Sequence, residues 1–303
     1  MKIFRGFEAV SGIRNPVVTT GSFDGVHIGH KTILNRLRML AQKHEGESVL
    51  ITFDPHPRKV LYPDTAGKGL KLINSQEEKL KLLQKAGLDN LIIVTFTREF
   101  SKITSEQFVR DLLHDVLHAS VVVVGFNHHF GFNQEGDYRQ LWGWRNKYGF
   151  EAEEIPEQEV QHETVSSTKI RKAIVEGYIQ RANAYLDHYY LIIGKPETGS
   201  SELLPGFCCI PVTEECKLLP APGIYAVSVV LDLNISKGMA LITDEGQAQP
   251  KVLVQIFDNR ECFTGKNTEI LFHKKIHGSV SLTDEKTHMK LSTARAEIIE
   301  LIY

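Results

Sequence analysis

The chain has 303 residues, of which 42% are hydrophobic and 24% charged, a balance typical of a folded globular protein rather than a disordered or fibrous one. Its 35 lysines and arginines stand against 37 aspartates and glutamates, which argues against a protein that binds nucleic acid through a broadly basic surface. No stretch approaches the roughly 18 apolar residues of a membrane span, and the N-terminus lacks the apolar core of a signal peptide. We therefore expect a cytoplasmic protein without a membrane or nucleic-acid partner.

The first part of the chain alternates short apolar runs with helical patterns. Four runs predict β-strands, at Val17–Thr20, Val49–Phe53, Leu91–Phe96 and Val121–Gly125. Such unbroken apolar strands are typical of a parallel sheet that is covered on both faces. We predict a doubly wound α/β domain over residues 1–186, in which ligands bind beyond the carboxyl ends of the strands.

The second part, predicted as a domain over residues 187–303, has β-type runs without helices between them, from Phe207–Val212 to Ile270–Phe272. This pattern predicts a small antiparallel β-barrel, closed by a C-terminal helix that begins near Thr283. The four cysteines include no C-x-x-C pair, so their spacing predicts neither a zinc site nor a disulfide framework.

The most informative motif is GSFDGVHIGH at residues 21–30, between the first predicted strand and a helix. With a helix start near Val26, His27 and His30 would share one face of the first turn, where free N–H groups and the helix dipole favour an anion. Two imidazoles there suit charge stabilisation on an α-phosphate while pyrophosphate is displaced. Alone, an H-x-x-H pair more often consists of exposed surface residues without a function or of an incidental metal ligand.

A second motif, VSSTKIR at residues 165–171, leads hydroxyl side chains into a helix. Ser167 or Thr168 is predicted to cap this helix, and Lys169 and Arg171 add positive charge to a second anion site. Alone, this is an ordinary capped helix with a solvated basic face. Together with the first motif, it predicts the opposite side of a triphosphate site.

Two further segments follow predicted strands. In GFNHHFG, at residues 125–131, Asn127 both donates and accepts hydrogen bonds, and the aromatic side chains offer a stacking surface for a flat ring. In FDPHP, at residues 53–57, the two prolines would hold a rigid wall. Taken singly, the first is a loop with incidental histidines and the second is a turn.

Taken in order, GSFDGVHIGH, ITFDPHP, VVGFNHHFGFNQEGD and VSSTKIR resemble the prokaryotic bifunctional riboflavin kinase/FMN adenylyltransferases, or FAD synthetases, over about residues 10–190. The resemblance implies an N-terminal nucleotidyltransferase domain of the HxGH superfamily, which transfers AMP from Mg-ATP to FMN and gives FAD and pyrophosphate. The expected ligands are therefore ATP, Mg2+ and FMN or FAD. The metal would arrive with ATP, so no metal site made by the protein alone is expected.

The resemblance also implies three groups of site residues. At the reacting phosphates we expect His27, His30, Asn127, Ser167, Thr168 and Arg171. Further contacts with ATP are expected from Gly21, Phe23, Asp24, Gly29 and Lys169. Around the flavin we expect Asp54, Pro55, Pro57, Phe126, His129 and Phe130. Two positions depart from the family: His129 replaces an arginine or an aromatic residue, and Gln134 replaces a common arginine.

The second domain resembles the family's riboflavin kinase domain at LPAPGIYAV, residues 219–227, and at VQIFD, residues 254–258. The residues at the family's catalytic positions differ in this chain. Where the family has the Pro-Thr-Ala-Asn segment that binds magnesium and ATP, this chain has Cys208–Pro211. The family's catalytic glutamate aligns with Leu253, and the histidine two residues later aligns with Gln255.

We therefore expect an FMN adenylyltransferase that has lost riboflavin kinase activity, because nothing at Leu253 would accept the proton of the riboflavin hydroxyl. Three alternatives stay open. The chain could keep both activities, bind flavin or nucleotide without turnover, or transfer AMP to another phosphorylated acceptor.

Overall fold

In a computed structural model of the chain, the described residues are 1–126, 128–157, 159–160, 163–197, 204–232, 234–243, 250–257, 265, 267–281, 284 and 286–301. They form two compact units, one of residues 1–70 and 79–165 and the other of residues 71–78 and 166–303. The predicted fold class is confirmed. The domain boundary between residues 186 and 187 stays a prediction.

The first unit is built on a six-stranded sheet in which all neighbouring strands are parallel, in the order β1-β4-β3-β2-β5-β6. The strands are β1 (Lys2–Arg5), β2 (Val17–Thr20), β3 (Ser48–Asp54), β4 (Asn90–Thr95), β5 (Val121–Gly125) and β6 (Glu151–Ile155). The four predicted strands match β2 to β5 within one residue at each end. The edge strands β1 and β6 fall outside the prediction because polar residues interrupt their apolar pattern.

The helices of this part of the chain are α1 (Ile28–Lys43), α2 (Pro57–Leu61), α3 (Gln76–Lys85), α4 (Ser105–Gln107) and α5 (Tyr138–Tyr148). A π-helix, Phe108–Val116, continues α4, and single 3-10 turns lie at Phe7–Ala9, Phe100–Lys102 and Phe132–Gln134. Two short strands, β7 (Glu159–Val160) and β8 (Glu163–Thr164), form a hairpin.

The apolar runs are unbroken because both faces of the sheet are covered. Side chains alternate between the faces along each strand. Val17 and Leu50 pack with Leu37 of α1 on one face, whereas Val18 and Ile51 pack with the π-helix on the other. The central strand β2 lies between β3 and β5. The chain adds β3 and β4 on one side of β2 and later β5 and β6 on the other side, so the strand order reverses at β2. Ligands of such sheets bind at this switch point, beyond the carboxyl ends of the strands.

The second unit has a six-stranded antiparallel sheet in the order β10-β13-β12-β11-β14-β9. Its elements are α6 (Ser167–Val175), α7 (Ile179–Leu186), β9 (Tyr190–Gly194), β10 (Cys208–Ile210), β11 (Gly223–Leu231), β12 (Asn234–Thr243), β13 (Lys251–Ile256), β14 (Thr268–His277) and α8 (Thr287–Leu301). The predicted helix start at Thr283 lies outside the described residues. The apolar spacing of this helix predicts one buried face with Leu291, Ala294, Ile298 and Leu301. α8 buries the first three against the sheet, whereas Leu301, at the end of the helix, is exposed.

The cysteines give one correction. Cys208 is disulfide-bonded, which the cysteine spacing did not predict, whereas Cys209 and Cys216 are free thiols. None of the helices in the described ranges combines the length and the apolar character needed to cross a bilayer.

Candidate active site

The GSFDGVHIGH motif forms the turn that joins β2 to α1. Phe23, Gly25 and Val26 all have positive φ, at 48°, 94° and 41°, so the chain turns sharply before the helix. The predicted helix start near Val26 is wrong for this reason, since a left-handed residue cannot continue into a right-handed helix. α1 begins at Ile28, and His27 is its N-cap residue.

The two histidines of the motif form part of a stack of three rings. The ring centroids of His27 and His30 lie 3.7 Å apart, and those of Phe23 and His30 lie 4.4 Å apart, with both pairs nearly parallel. Phe23 and His27 are buried. The sequence analysis placed the two histidines side by side in the first turn of the helix; the rings do lie side by side, but His27 is the N-cap and only His30 lies within the first turn.

The electrostatics around His30 favour its neutral imidazole. Burial, the neighbouring His27 and the charge of Lys79, in that order, hold the pKa of His30 well below its usual value. His30 is therefore neutral at neutral pH and offers one N–H donor rather than a positive charge. Its Nδ1 atom is buried and has no hydrogen-bond partner among the described residues.

Lys79 is a buried cation near His30 that the sequence analysis missed. Its ammonium group lies 3.4 Å from Thr52 Oγ1, and its side chain is buried. In the sequence it follows two glutamates in the first turn of α3, a pattern that usually marks an exposed, solvated helix face. Only its placement next to His30 reveals that it adds positive charge here.

The first turn of α1 completes the anion-binding features. The N-cap residue His27 makes no side-chain capping hydrogen bond to this 16-residue helix. The first N–H groups of an α-helix lack intrahelical partners, and the helix dipole places partial positive charge at the same end. This end of α1 therefore suits a phosphate group, as the sequence analysis expected.

A cavity of about 530 Å³ opens beyond the carboxyl ends of β2 to β5. Of the predicted residues, Gly21, Pro57, His129, Phe130 and Gln134 line it. Asp54, Pro55 and Phe126 are exposed and lie outside its lining, and Asn127 lies outside the described residues. Their roles stay predictions.

Aromatic rings dominate the cavity wall. Phe53, Phe96 and Phe100 contact one another edge-on or tilted, with centroid distances of 5.5 to 5.9 Å, and all three line the cavity. The sequence analysis did not assign them, because they come from two segments, at the end of β3 and after β4, that only the parallel sheet brings together. The available signal was a phenylalanine at the end of each of two predicted strands.

His128 brings a polar atom to this aromatic cavity. Burial and then the neighbouring His129 lower the pKa of His128 to about 4, so its ring is neutral at neutral pH. Its Nε2 atom is buried and lacks a hydrogen-bond partner within the described ranges. A buried polar atom without a partner is costly, which favours a ligand that supplies one.

The VSSTKIR motif belongs to the second unit, where it forms the start of α6. Ser166 caps this helix by accepting a hydrogen bond from the Lys169 N–H at 3.4 Å. The prediction that Ser167 or Thr168 is the cap is therefore wrong, because the extended backbone at Ser166 places the helix boundary one residue earlier. Ser167 and Arg171 are half-buried, whereas Thr168 and Lys169 are exposed.

A parallel α/β unit with a histidine pair at the start of the helix after its central strand defines a nucleotidyltransferase of the HxGH class. Comparison with known proteins agrees. Residues 11–169 match the model of the FAD synthetase family. The chain belongs to this family.

Several relatives share this similarity and are named bifunctional riboflavin kinase/FMN adenylyltransferase. The protein from Listeria monocytogenes is 31% identical over 86% of this chain and 83% of its own length. The proteins from Escherichia coli and Haemophilus influenzae are 29% and 28% identical, each over 98% of this chain and over 95% and 99% of their own lengths. A crystal structure described as a macrolide-efflux protein from Streptococcus pneumoniae has a TM-score of 0.86 at 21% identity, covers 98% of both chains, and supports the fold alone.

Proposed function

We propose that this protein is an FMN adenylyltransferase that makes FAD and pyrophosphate from FMN and Mg-ATP, and that it has lost riboflavin kinase activity. The observation that carries the first part is the stacked pair of His27 and a neutral His30 at the start of α1. The relatives' names and the family match support the same reaction. The cytoplasmic location and the absence of nucleic-acid and membrane partners stay predictions.

In this reaction an oxygen of the FMN phosphate attacks the α-phosphorus of ATP, and the bond to the bridging oxygen of pyrophosphate breaks. Negative charge grows on the oxygens around the α-phosphorus. His27, His30 and the first N–H groups of α1 supply fixed hydrogen-bond donors for that charge, which is electrostatic rather than covalent catalysis. Mg2+ arrives with ATP and neutralises phosphate charge. Ser167, Thr168, Arg171, Asn127 and Lys169 are assigned to the phosphates by family resemblance.

The aromatic cavity fits the flavin ring of FMN. Its volume of about 530 Å³ lies within the usual range for ligand sites, roughly 300–1,000 Å³. Phe53, Phe96 and Phe100 offer stacking and edge contacts to a flat ring. The unpaired Nε2 of His128 suits a polar atom on the edge of that ring.

Replacing Phe100 with leucine is expected to raise the KM for FMN about tenfold, because an aromatic contact is worth about 0.5–1.5 kcal/mol beyond its buried area. The KM for ATP should stay unchanged, since the leucine keeps most of the apolar volume. Steady-state FAD formation at varied FMN measures the effect. Trp142→Leu is the matched control, because Trp142 is an exposed aromatic residue outside the cavity. Equal changes in both KM values would contradict the assignment.

The second unit supports the loss of kinase activity. In the pairing of β10 with β13, Cys209 lies opposite Leu253 and Cys208 opposite Val254. These positions align with the family's magnesium-binding segment and its catalytic glutamate. Leu253 is buried in an apolar cluster with Leu291 and other residues of α8. This environment would strongly disfavour an ionised carboxylate.

The cavity beside this cluster is also poorly suited to a kinase reaction. Its volume is about 220 Å³, and no carboxylate is among the residues that line it in the described part of the chain. Arg295 fills part of the space by donating to the Phe257 carbonyl at 2.7 Å and covering the Phe257 ring. A nucleotide and riboflavin together would need a much larger site with magnesium ligands.

The proposal predicts that purified protein with Mg-ATP converts FMN to FAD but does not convert riboflavin to FMN. Chromatographic separation of riboflavin, FMN and FAD measures both steps, with the Escherichia coli relative as the positive control for kinase activity. FMN formed from riboflavin would contradict the kinase loss and favour a bifunctional enzyme. No FAD from FMN would contradict the adenylyltransferase and favour a binding protein or another acceptor.

A further inference from the structure

A second cavity, also of about 530 Å³, lies wholly within the second unit. It is bounded by residues 176–181, which lead into α7, and by residues 274–278, at the end of β14. None of these residues belongs to the motifs assigned to adenylyl transfer, and none lies in the positions aligned with the kinase site. The cavity is therefore unexplained by the proposed function.

Positive charge dominates the walls of this cavity. Arg181, Lys274 and Lys275 line it, against one carboxylate, Glu176. Within the described ranges, the ammonium groups of Lys274 and Lys275 have neither a hydrogen bond nor a carboxylate partner, and that of Lys275 lies 5.8 Å from the centre of the Tyr225 ring. The carboxylate of Glu176 lies 3.9 Å from the ammonium group of Lys172 and is therefore paired with that lysine. The protein thus leaves two ammonium groups beside the cavity without neutralisation.

The other titratable groups nearby do not change this balance. His277 lines the cavity, and its Nε2 atom lies 3.4 Å from the carboxylate of Glu297. The Arg181 Nε donates to the Tyr185 hydroxyl at 2.8 Å, so this guanidinium is already engaged. The positive charge that faces a ligand therefore comes from the two lysines.

The Lys275 side chain lies close to the backbone of two glycines. A Cβ atom at Gly177 would lie 2.8 Å from Lys275 Cδ, and one at Gly223 would lie 2.6 Å from Cε. Both glycines have positive φ, a backbone conformation in which side chains are disfavoured. Burial lowers the pKa of Lys275, in line with an ammonium group that has lost part of its hydration. Less ordering is then required when an anion binds.

We propose that this cavity binds the phosphate of a small phosphomonoester that carries a flat ring, such as a 5'-mononucleotide. Lys274 and Lys275 supply charge-assisted hydrogen bonds to the phosphate oxygens. Tyr178, 58% exposed and part of the cavity wall, offers its ring for stacking. The cavity volume lies in the range of small-molecule sites.

Photolabelling of the full chain with 8-azido-AMP, followed by peptide mapping, identifies the segment of the chain to which the nucleotide binds. We expect label on the peptides that contain Tyr178 or residues 274–278, with protection by unmodified AMP. Lys275→Met should weaken this protection about tenfold, as for the loss of one charge-assisted bond. Lys275→Arg should retain it, because the charge is kept.

Lys290→Met is the matched control, since Lys290 is an exposed lysine of α8 outside the cavity, and it should label as the unchanged chain does. Thermal unfolding of each variant checks that the fold is intact. Label confined to peptides of residues 1–165 would overturn the proposal, as would full AMP protection in folded Lys275→Met. Neither result bears on FAD formation, so failure of this site is distinguishable from failure of the proposed reaction.

Discussion

Replacing His30 with alanine is expected to lower the rate of FAD formation about 10²–10³-fold, the usual cost of one lost donor to a transition-state charge. His30 sits in the middle of the Phe23–His30–His27 stack, so the substitution removes a donor and loosens the position of His27. The measurement is the initial rate of FAD formation at saturating FMN and Mg-ATP.

Two variants separate this role from general damage. His30→Asn keeps an N–H donor in the first turn of α1 and is expected to retain part of the rate. His114→Ala removes an exposed histidine that pairs with Asp115, far from the motif in sequence, and should leave the rate unchanged. A His30→Ala protein that is folded and as fast as the unchanged chain would remove His30 from the mechanism.

Replacing Lys217 with methionine is expected to lower the free energy of unfolding of the second unit by about 3–5 kcal/mol. The Lys217 ammonium is 1% exposed and donates to Glu78 Oε2 at 2.6 Å, the Ile73 carbonyl at 2.7 Å and the Leu191 carbonyl at 2.9 Å. All three donors are satisfied. Methionine fills similar volume but leaves the Glu78 carboxylate buried without its counter-charge.

Chemical denaturation measures this effect, and two further variants interpret it. The double substitution Lys217→Met with Glu78→Gln should be less destabilised than the single one, because no charge is left buried. Lys290→Met breaks an exposed pair with Asp284 at 3.7 Å and should cost at most about 1 kcal/mol. If Lys217→Met cost no more than Lys290→Met, the buried pair would not stabilise the unit.

The sequence predicted the central strands well because burial on both faces leaves a strong apolar signal, as at Val121–Gly125. It missed β1 and β6 because an edge strand is only partly covered and its pattern is mixed. The close approach of His27 and His30 was predictable because the two residues are three positions apart at a helix start. The exact start of α1, at Ile28, was not predictable. Residue types alone do not reveal the left-handed backbone at Phe23 and Val26.

The rest of the site depends on contacts between distant segments. Lys79 resembles any exposed helical lysine until the fold places it near His30. Phe53, Phe96 and Phe100 meet only because β3 and β4 run in parallel and end at the same edge. The sequence analysis aligned Cys208–Pro211 and Leu253 with kinase positions of the family, but only the strand pairing places Cys209 opposite Leu253.

The Phe23–His30–His27 stack and the aromatic cavity are encoded by different stretches of chain. The stack comes from one continuous decapeptide after β2, whereas the rings of the cavity come mainly from the loops after β3, β4 and β5. Under the proposed function, substitutions in those loops would alter the acceptor that is recognised and leave the phosphate-binding turn unchanged. Such a fold could therefore acquire a new acceptor during evolution through changes in its loops alone.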